Sequence, residues 1–373
     1  MPAILIAPDS FKGTLEAHEV CEIIGRAFKE VIKDCDITEL PVADGGEGLC
    51  ACLRRAAGGE MKKCEVSGVF GEKMIAEYLM LPDMTAVIET ASCAGLPLAG
   101  ENKDPMRATT LGVGEQIAHA AACGAARILL GLGGSATNDC GAGMASALGW
   151  VFKDKNGREF VPAGGTLTDI CDILPPENGL DIPVTAACDV DNPLYGERGA
   201  AYVFAPQKGA DAEAVKILDG GLKNISDLIK AKLGIDVSLI PGAGAAGGMG
   251  AGTIAFLGGD LKRGIDIILD ITEFDKKASE CDLIITGEGR LDSQSVDGKV
   301  ISGVAKRAAA LGKKVITICG CAGDGYEKAR ELGVSDMFFS CEKPKPHDEL
   351  VKTCRDDLCN AAKKAALEIY EIN

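Results

Sequence analysis

The chain has 373 residues, 47% of them hydrophobic and 25% charged, which is typical of a globular protein of about two domains. Its 55 acidic side chains outnumber 39 Lys and Arg, giving a formal net charge of −16. This acidic balance repels phosphate backbones overall, which argues against nucleic acid as a partner. A small anion held locally by Lys, Arg or backbone N–H groups remains compatible with this charge.

The ends and apolar segments of the chain predict a cytoplasmic protein. Met1 leads within two residues into a strand-like segment without a basic region, so we expect no signal peptide. The one long uncharged stretch, residues 237–259, contains Pro241 and eight glycines, so we expect no membrane span. Sixteen cysteines scattered through apolar segments predict reduced thiols, and three histidines argue against a structural zinc site.

The first part of the chain alternates strand and helix patterns. Residues 4–7 are a short apolar run, and Thr14 is the expected N-cap of a helix whose apolar spacing continues to Ile32. A second strand is predicted at residues 37–42 and a second helix at 47–57. These are two β–α units of the kind that build parallel sheets.

The same alternation returns at the end of the chain. It predicts strands at 283–286, 315–319 and 337–340, and helices at 300–311, 327–332 and up to about 368. Five strands alternating with helices predict an α/β fold, a flavodoxin-like doubly wound parallel sheet of order 2-1-3-4-5. We assign residues 1–66 and 272–373 to this discontinuous domain.

The middle of the chain, residues 67–271, is predicted to be an inserted α/β domain with a mixed sheet. The predicted strands cover 64–70, 75–81, 85–90, 127–132, 184–188 and 202–205. The predicted helices lie near 108–122, 142–151 and 211–233. The insertion is expected after the second helix of the host domain.

Polar, glycine-rich loops follow the first three strands of the discontinuous domain. In open α/β sheets, ligands bind at the carboxyl ends of the strands beside the point where strand order reverses. The alternative, that each loop is an ordinary capped turn, is weakened because three such loops share one edge. Their candidate residues are Asp9, Ser10, Lys12, Asp44, Gly45, Gly46, Glu47, Glu288, Arg290, Asp292 and Ser293.

Two loops of the inserted domain add further candidates. Residues 131–143 pass from a strand through glycines and hydroxyls into a helix, a pattern that predicts an anion site at the helix start. A plain turn capped by Ser135 or Asn138 is the alternative. Residues 189–192 place two carboxylates and an amide after a strand, which suits a hard cation, a general base or an Asx-turn. The candidates are Gly133, Gly134, Ser135, Thr137, Asn138, Asp189, Asp191 and Asn192.

Common nucleotide-binding signatures are absent or weak. Gly298-Lys299 is not preceded by the glycine of a P-loop. Residues 242–247 match the dinucleotide pattern, but Pro241 precedes them and later glycines interrupt the expected helix. We interpret them as a glycine-rich loop or a closely packed small-residue helix. The residues alone predict a cleft between two α/β domains, with carboxylates for Mg²⁺ and anion-binding loops, which suits phosphoryl transfer.

Several long motifs in a fixed order resemble the bacterial glycerate kinase family over essentially the whole chain. Cys140, where glycine is expected, is the one small departure. The motifs are APDSFKG (7–13), PVADGGEG (41–48), GLGGSATNDCGAG (131–143), ACDVDNPL (187–194), PQKGA (206–210), GAGAAGG (242–248) and ITGEGRLDS (285–293). The resemblance implies a flavodoxin-like domain interrupted by a second α/β domain, and ATP-dependent phosphorylation of D-glycerate to 2-phosphoglycerate.

Position and chemistry then assign roles to the candidates. Asp189 is predicted to be the base that accepts the substrate hydroxyl proton, with Asp9 as the alternative, and Lys12 and Arg290 are predicted to neutralise substrate charge. The predicted Mg²⁺ ligands are Asp44, Asp191, Glu288 and Asp292. Substrate and nucleotide binding is assigned to Ser10, Gly45, Gly46, Glu47, Gly133, Gly134, Ser135, Thr137, Asn138, Asn192 and Ser293.

The partners expected from these roles are D-glycerate and ATP, without nucleic acid or membrane, and a homodimer is compatible with the sequence. A non-catalytic sensor of an acidic metabolite or nucleotide is the alternative function. A pure anion binder would gain nothing from the many carboxylates unless a cation were present.

Overall fold

The computed structural model describes residues 1–43, 48–293, 295, 299–341 and 345–371, and the main chain only of residue 347. The chain divides into two compact units, one made of Met1–Asp44 and Gly264–Asn373 and the other of Gly45–Arg263. We call them the first unit and the second unit. None of the described helices combines the length and apolar character needed to span a membrane.

Strands and helices alternate along most of the described chain. The strands are β1 (Ala3–Ile6), β2 (Asp36–Glu39), β3 (Glu60–Ser67), β4 (Lys73–Met80), β5 (Thr85–Glu89), β6 (Arg127–Gly131), β7 (Val151–Lys153), β8 (Glu159–Phe160), β9 (Asp172–Leu174), β10 (Val184–Ala187), β11 (Asp260–Lys262), β12 (Leu283–Thr286), β13 (Arg290–Leu291), β14 (Lys314–Cys319), β15 (Cys321–Ala322) and β16 (Val334–Phe339).

The α-helices are α1 (Ala17–Val31), α2 (Leu49–Ala57), α3 (Ala91–Ala94), α4 (Leu96–Ala99), α5 (Leu111–Ala122), α6 (Ala142–Ala147), α7 (Ala200–Phe204), α8 (Ala212–Leu233), α9 (Ala245–Leu257), α10 (Gly264–Ile271), α11 (Phe274–Ser279), α12 (Val300–Ala310) and α13 (His347–Ile369). Short 3₁₀ helices cover Gly164–Asp169, Pro206–Lys208 and Tyr326–Leu332.

The first unit is built on a five-stranded parallel sheet. Its strand order is β2-β1-β12-β14-β16, which is the predicted order 2-1-3-4-5. Helices α1 and α13 pack together with the sheet in one apolar core that includes Ile4, Ile6 and Phe28. Helix α12 packs against β12 and β14. The flavodoxin-like, doubly wound fold is therefore confirmed.

The start of α1 differs from the prediction. Glu16, rather than Thr14, is the N-cap, and its backbone N–H donates to the Glu19 carboxylate at 3.0 Å in a capping box. The Thr14 hydroxyl instead donates to the carbonyl oxygen of Phe11 at 2.8 Å, which closes a turn two residues earlier. Thr14 therefore stabilises the loop after β1, and the helix begins only at Ala17.

The second unit contains the predicted mixed sheet. Its strand order is β3-β4-β5-β6-β10-β11. Strands β5, β6, β10 and β11 are parallel, whereas β4 runs antiparallel to both of its neighbours. This unit also has a small antiparallel sheet of order β8-β7-β9. Its apolar side chains pack in one cluster with side chains of α7, α8 and α9.

Two predicted elements of the second unit are wrong. Residues 202–205 were expected as a strand, but they belong to α7 and the residue after it, because Ala200, Ala201 and Ala205 are buried at helical spacing. The helix predicted at 142–151 ends at Ala147. Gly149 then adopts a positive φ, and the chain turns into β7.

The compact units begin and end at other residues than the predicted 66/67 and 271/272. Helix α2 packs on the second sheet: its first N–H groups donate to the Glu89 carboxylate, and the Cys50 thiol donates to the Val87 carbonyl oxygen. Helix α10 packs on α12 of the first unit. Both boundaries therefore lie closer to the N-terminus than predicted, because the packing of α2 and α10 decides to which unit each helix belongs.

Candidate functional site

A cavity of about 330 Å³ lies within the first unit, at the carboxyl ends of its parallel strands. The loops after β1, β12, β14 and β16 all contribute to its wall. Strands β1 and β12 are neighbours on either side of the point where strand order reverses, so the cavity is at the switch point predicted from the sequence.

Backbone hydrogen bonds extend the sheet into these loops and fix their positions. The N–H of Asp9 donates to the Gly287 carbonyl oxygen at 2.8 Å. The N–H of Gly320 donates to the Glu288 carbonyl oxygen at 3.0 Å. At Gly287 a Cβ atom would collide with the carbonyl oxygen of Ile318 on β14. Glycine is therefore required there for the loop after β12 to stay close to its neighbour.

Charged groups of both signs line this cavity. The carboxylates are Asp9, Glu288 and Asp292, and the cations are Lys12, Arg290, Lys299 and Lys345. The structure thus brings together, in one unit, six of the predicted candidates: Asp9, Ser10, Lys12, Glu288, Arg290 and Asp292. Lys12 and Arg290 are exposed, and Arg290 Nε lies 3.8 Å from a carboxylate oxygen of Asp292.

Glu288 is the most perturbed acid of this cavity. Its side chain is buried, and its Oε1 atom has no hydrogen-bond partner among the described residues. Burial raises the pKa of Glu288 to about 7. A hydrogen bond with Ser295 and the charge of Lys299 act against this rise, whereas the charges of Asp9 and Asp292 add to it. A buried carboxyl at a cavity wall, with one oxygen that lacks a hydrogen-bond partner, is a group suited to hold a cation or to transfer a proton.

Asp9 is held in place by its neighbour in the sequence. One of its carboxylate oxygens accepts hydrogen bonds from the Ser10 backbone N–H at 2.6 Å and the Ser10 hydroxyl at 3.3 Å. The side chain is buried at the cavity wall. Ser10 therefore orients Asp9, and it also lines the cavity, where the ligand contact predicted for it stays a prediction.

In the second unit, the start of α6 already holds a carboxylate from the chain itself. Buried Asp139 accepts hydrogen bonds from the N–H groups of Gly141 and Gly143 and from both the N–H and the hydroxyl of Thr110. The expected donors at the helix start are therefore occupied internally. Candidate anion contacts remain only in the preceding loop, residues 133–138.

That loop contains polar side chains that are buried without partners. Thr137 Oγ1, Asn138 Oδ1 and Asn138 Nδ2 have no hydrogen-bond partner among the described residues. Ser135 Oγ accepts a hydrogen bond from the ammonium of Lys208 at 2.9 Å, and the Thr137 carbonyl oxygen accepts another at 2.7 Å. Gly133 and Gly134 are half-buried at the entrance of the loop.

The glycine-rich stretch 242–248 serves packing in this structure. The first turn of α9 contains left-handed residues Ala246, Gly247 and Gly248, and a Cβ atom on Gly247 would collide with the Thr137 carbonyl oxygen. The Gly247 carbonyl oxygen accepts the N–H of Cys140 at 3.1 Å. The stretch therefore supports the loop at 137–140, and both interpretations offered from the sequence, loop and small-residue helix, apply to it.

The acidic loop after β10 is exposed. Asp189 is solvent-exposed, and a carboxylate oxygen of Asp191 lies 3.7 Å from Arg263 Nη2, with the Asp191 side chain largely and the Arg263 side chain partly exposed. Asn192 donates through Nδ2 to the Arg198 carbonyl oxygen at 2.8 Å. Because β10 is a parallel neighbour of β6, Asp189 lies on the same edge of the second sheet as the loop at 133–138.

The predicted residues are thus divided between the two units. Asp44, Gly45, Gly46 and Glu47 lie outside the described residues, and Ser293 is exposed. Within the described residues, no group of three or more His, Cys, Asp or Glu forms a preformed metal site. All sixteen cysteines, each within the described residues, carry free thiols.

Sequence reasoning assigned no role to three cations. Lys208 lies in the PQKGA motif, yet nothing in the pattern indicated that its side chain would be buried. Lys299 and Lys345 line the cavity of the first unit from segments with no recognisable motif. Tertiary packing between segments distant in the sequence brings these residues to the two sites. Local sequence periodicity does not predict such packing.

Comparison with known proteins gives a consistent result over the full chain. The model of the glycerate kinase family matches residues 4–370. Among curated relatives, glycerate kinase of Bacillus cereus is 46% identical and glycerate 2-kinase of Escherichia coli is 42% identical, each match covering 97% of both chains.

A solved structure agrees with the sequence matches. The crystal structure of a protein assigned as glycerate kinase 2 from Salmonella typhimurium LT2 superposes with a TM-score of 0.87 at 38% identity, covering 99% of this chain and 98% of that one. The family model, the relatives and the shared two-unit α/β fold together establish that this chain is a kinase that belongs to the glycerate kinase family.

Proposed function

We propose that this enzyme transfers the γ-phosphoryl group of ATP to the 2-hydroxyl of D-glycerate, forming 2-phosphoglycerate. The observation that carries the proposal is the cavity at the switch point of the first unit, where three carboxylates and four cations surround a volume of about 330 Å³. The names of the relatives, glycerate kinase and glycerate 2-kinase, supply the acceptor.

The first-unit cavity suits the triphosphate. Phosphoryl transfer depends on positioning and on neutralising charge, and Lys12, Arg290, Lys299 and Lys345 supply positive charge around one space. A guanidinium such as that of Arg290 can bind phosphate oxygens with two parallel hydrogen bonds. Phe11 and Leu350 add apolar surface to the same wall, which suits the nucleoside part.

Mg²⁺ is the cofactor that fits these residues. Mg²⁺ usually binds proteins through one or two carboxylates and fills its remaining positions with water and substrate phosphates. Glu288, whose Oε1 is unpartnered among the described residues, and Asp292 line the cavity and would hold the ion. Bound Mg²⁺ would neutralise charge on the phosphate oxygens. Asp44 and Asp191 remain proposed ligands on the sequence argument alone.

The proton of the attacking hydroxyl needs a carboxylate acceptor. We propose Asp189, because it is solvent-exposed and shares a sheet edge with the loop at 133–138, where the acceptor would bind. Asp9, buried in the first-unit cavity and oriented by Ser10, is the alternative base. We further propose that the reaction takes place in a cleft formed by both units, since the candidates are divided between them, and that the enzyme is cytoplasmic.

The experiment is a product analysis. The enzyme is incubated with ATP, Mg²⁺ and D-glycerate, ADP release is followed, and the product is examined by ³¹P NMR without proton decoupling. A phosphate on the 2-oxygen couples to one proton and gives a doublet, whereas one on the 3-oxygen couples to two and gives a triplet. We expect ADP release with a doublet; a triplet contradicts the position, and no ADP release contradicts the activity.

The alternative function, a non-catalytic sensor, would bind without turnover. Membership of a kinase family argues against it, as does the number of carboxylates at a cavity that would otherwise attract anions. The same assay separates the two functions, because a sensor binds D-glycerate or ATP without releasing ADP.

A further inference from the structure

Lys208 is a buried cation that is not among the residues lining the first-unit cavity. It lies at the end of the 3₁₀ helix Pro206–Lys208 in the second unit, and its side chain is 3% exposed. Its ammonium has three N–H groups, of which two donate, to Ser135 Oγ at 2.9 Å and to the Thr137 carbonyl oxygen at 2.7 Å. Neither partner carries a charge.

A buried cation with neutral partners is unfavourable in the absence of an anion. Desolvation lowers the pKa of Lys208 to about 7, and Asp139, the one described ionisable group whose charge acts on it, offsets this only in part. The Asp139 carboxylate is already saturated by four donors from Thr110, Gly141 and Gly143. The remaining ammonium proton therefore has no carboxylate partner among the described residues.

The residues beside Lys208 are also unsatisfied. Thr137 Oγ1 and Asn138 Nδ2 are buried potential donors, and Asn138 Oδ1 is a buried acceptor, all without partners among the described residues. Buried polar groups are nearly always hydrogen-bonded, so these atoms need partners that a bound ligand or ordered water can supply. The donors of Thr137 and Asn138 beside the Lys208 ammonium suit a carboxylate. The Asn138 Oδ1 acceptor suits a hydroxyl group. A 2-hydroxy acid carries both groups.

We propose that Lys208 is the residue that binds the carboxylate of the acceptor substrate, with Thr137 and Asn138 completing the contact. This proposal rests on the proposed function and deepens it, since it assigns the acceptor to the second unit and makes Lys208 responsible for specificity toward acids. Phosphate of the nucleotide is the other anion available, but we assign it to the first-unit cavity, which four cations line.

Binding of a carboxylate beside Lys208 should draw a proton onto the amine. Because burial lowers the pKa of Lys208 to about 7, less of the apoenzyme carries a charged Lys208 at pH 8 than at pH 6. Wild-type enzyme should therefore take up a measurable fraction of a proton per D-glycerate at pH 8, and less at pH 6. Calorimetric titration in HEPES and in Tris, which have different ionisation enthalpies, measures this number directly.

The variant Lys208→Met removes the charge at similar side-chain length, and Lys216→Met, at an exposed position of α8, is the matched control. We expect Lys208→Met to raise KM for D-glycerate at least about tenfold, to leave KM for ATP within about twofold, and to abolish proton uptake. Lys216→Met should behave as wild type.

Two results would overturn the proposal. One is wild-type binding of D-glycerate at pH 8 without proton uptake, which requires no variant to fold. The other is proton uptake with a non-hydrolysable ATP analogue but not with D-glycerate, which would assign Lys208 to the nucleotide. A wild type that does not phosphorylate D-glycerate contradicts the proposed function instead, so the two failures are distinguishable.

Discussion

At the scale of single residues, the base assignment is open to a direct comparison. Asp189→Asn keeps the shape of the side chain and removes its ability to accept a proton, so we expect kcat to fall by about 10²-fold or more with little change in KM for ATP. Asp9→Asn is the matched variant in the other unit. If Asp189→Asn retains near-normal kcat and Asp9→Asn is inactive, the base is Asp9; activity in both contradicts the proposed site.

Lys12 and Arg290 should show a different kinetic pattern. Both are exposed cations at the cavity. Replacing either with Ala removes a positive charge that would neutralise the phosphates, both in the enzyme–substrate complex and in the transition state. We expect KM for ATP to rise and kcat to fall together. Initial-rate measurements at varied ATP test this, and a change in kcat alone would contradict a role in binding.

Glu288 makes stability depend on pH. The folded protein keeps Glu288 neutral up to about pH 7, whereas the unfolded chain ionises it above about pH 4.5. Between these values the unfolded chain binds fewer protons, so the free energy of unfolding falls as the pH rises. Glu288→Gln removes this dependence, and without metal it should be more stable than wild type at pH 8, by at most about 3 kcal/mol.

Urea unfolding in EDTA at pH 4 and pH 8 measures the effect of this variant. The two proteins should have similar stability at pH 4, since both side chains are neutral there. Glu177→Gln is the control, because its side chain is exposed and its charge is solvated. Equal stability of wild type and Glu288→Gln at pH 8 would contradict a buried carboxylate whose ionisation destabilises the fold.

At the scale of elements, the left-handed turn that opens α9 supports the loop at 137–140. Gly247 has φ of 72° and faces the Thr137 carbonyl oxygen. Gly247→Ala should cost about 1–2 kcal/mol from backbone strain alone, and it should raise KM for D-glycerate because the loop must move. Thermal unfolding and kinetics measure the two effects.

Gly220 provides the matched control on another helix. It lies within α8, is exposed, and a Cβ atom there would meet nothing within 4 Å. Gly220→Ala should therefore stabilise the protein by about 0.5–1 kcal/mol, since alanine favours the helix. Equal effects of the two substitutions would contradict a special conformational role for Gly247.

At the scale of the whole molecule, turnover should require a divalent cation. Triphosphate and glycerate bring negative charge to a protein of net charge −16, and Glu288 and Asp292 add carboxylates at the cavity. We expect EDTA to abolish ADP release and added Mg²⁺ to restore it. Full activity in the presence of the chelator would reject the metal site.

We also expect the two units to move toward each other on substrate binding. The chain passes between them twice, at residues 44/45 and 263/264, and kinases exclude water so that ATP is not hydrolysed. Small-angle scattering with an ATP analogue, Mg²⁺ and D-glycerate should give a smaller radius of gyration than the apoenzyme. Identical profiles would contradict closure.

The sequence by itself determined the order of the first sheet, the mixed character of the second and the family. These features depend on local signals: alternating β–α patterns that allow one crossover handedness, and glycine-rich motifs in a fixed order. The bounds of helix α8, from its Asp211 cap to Leu233, were also predicted to within one residue, because they depend on local signals.

Only the tertiary structure decided which unit holds α2, that residues 202–205 form part of a helix, and that the amides at the start of α6 are taken by Asp139. It also decided the burial of Lys208 and Glu288, from which their perturbed pKa values follow. Burial and partnership are set by elements distant in the chain, and a local pattern of residue types carries no record of which distant elements will pack together.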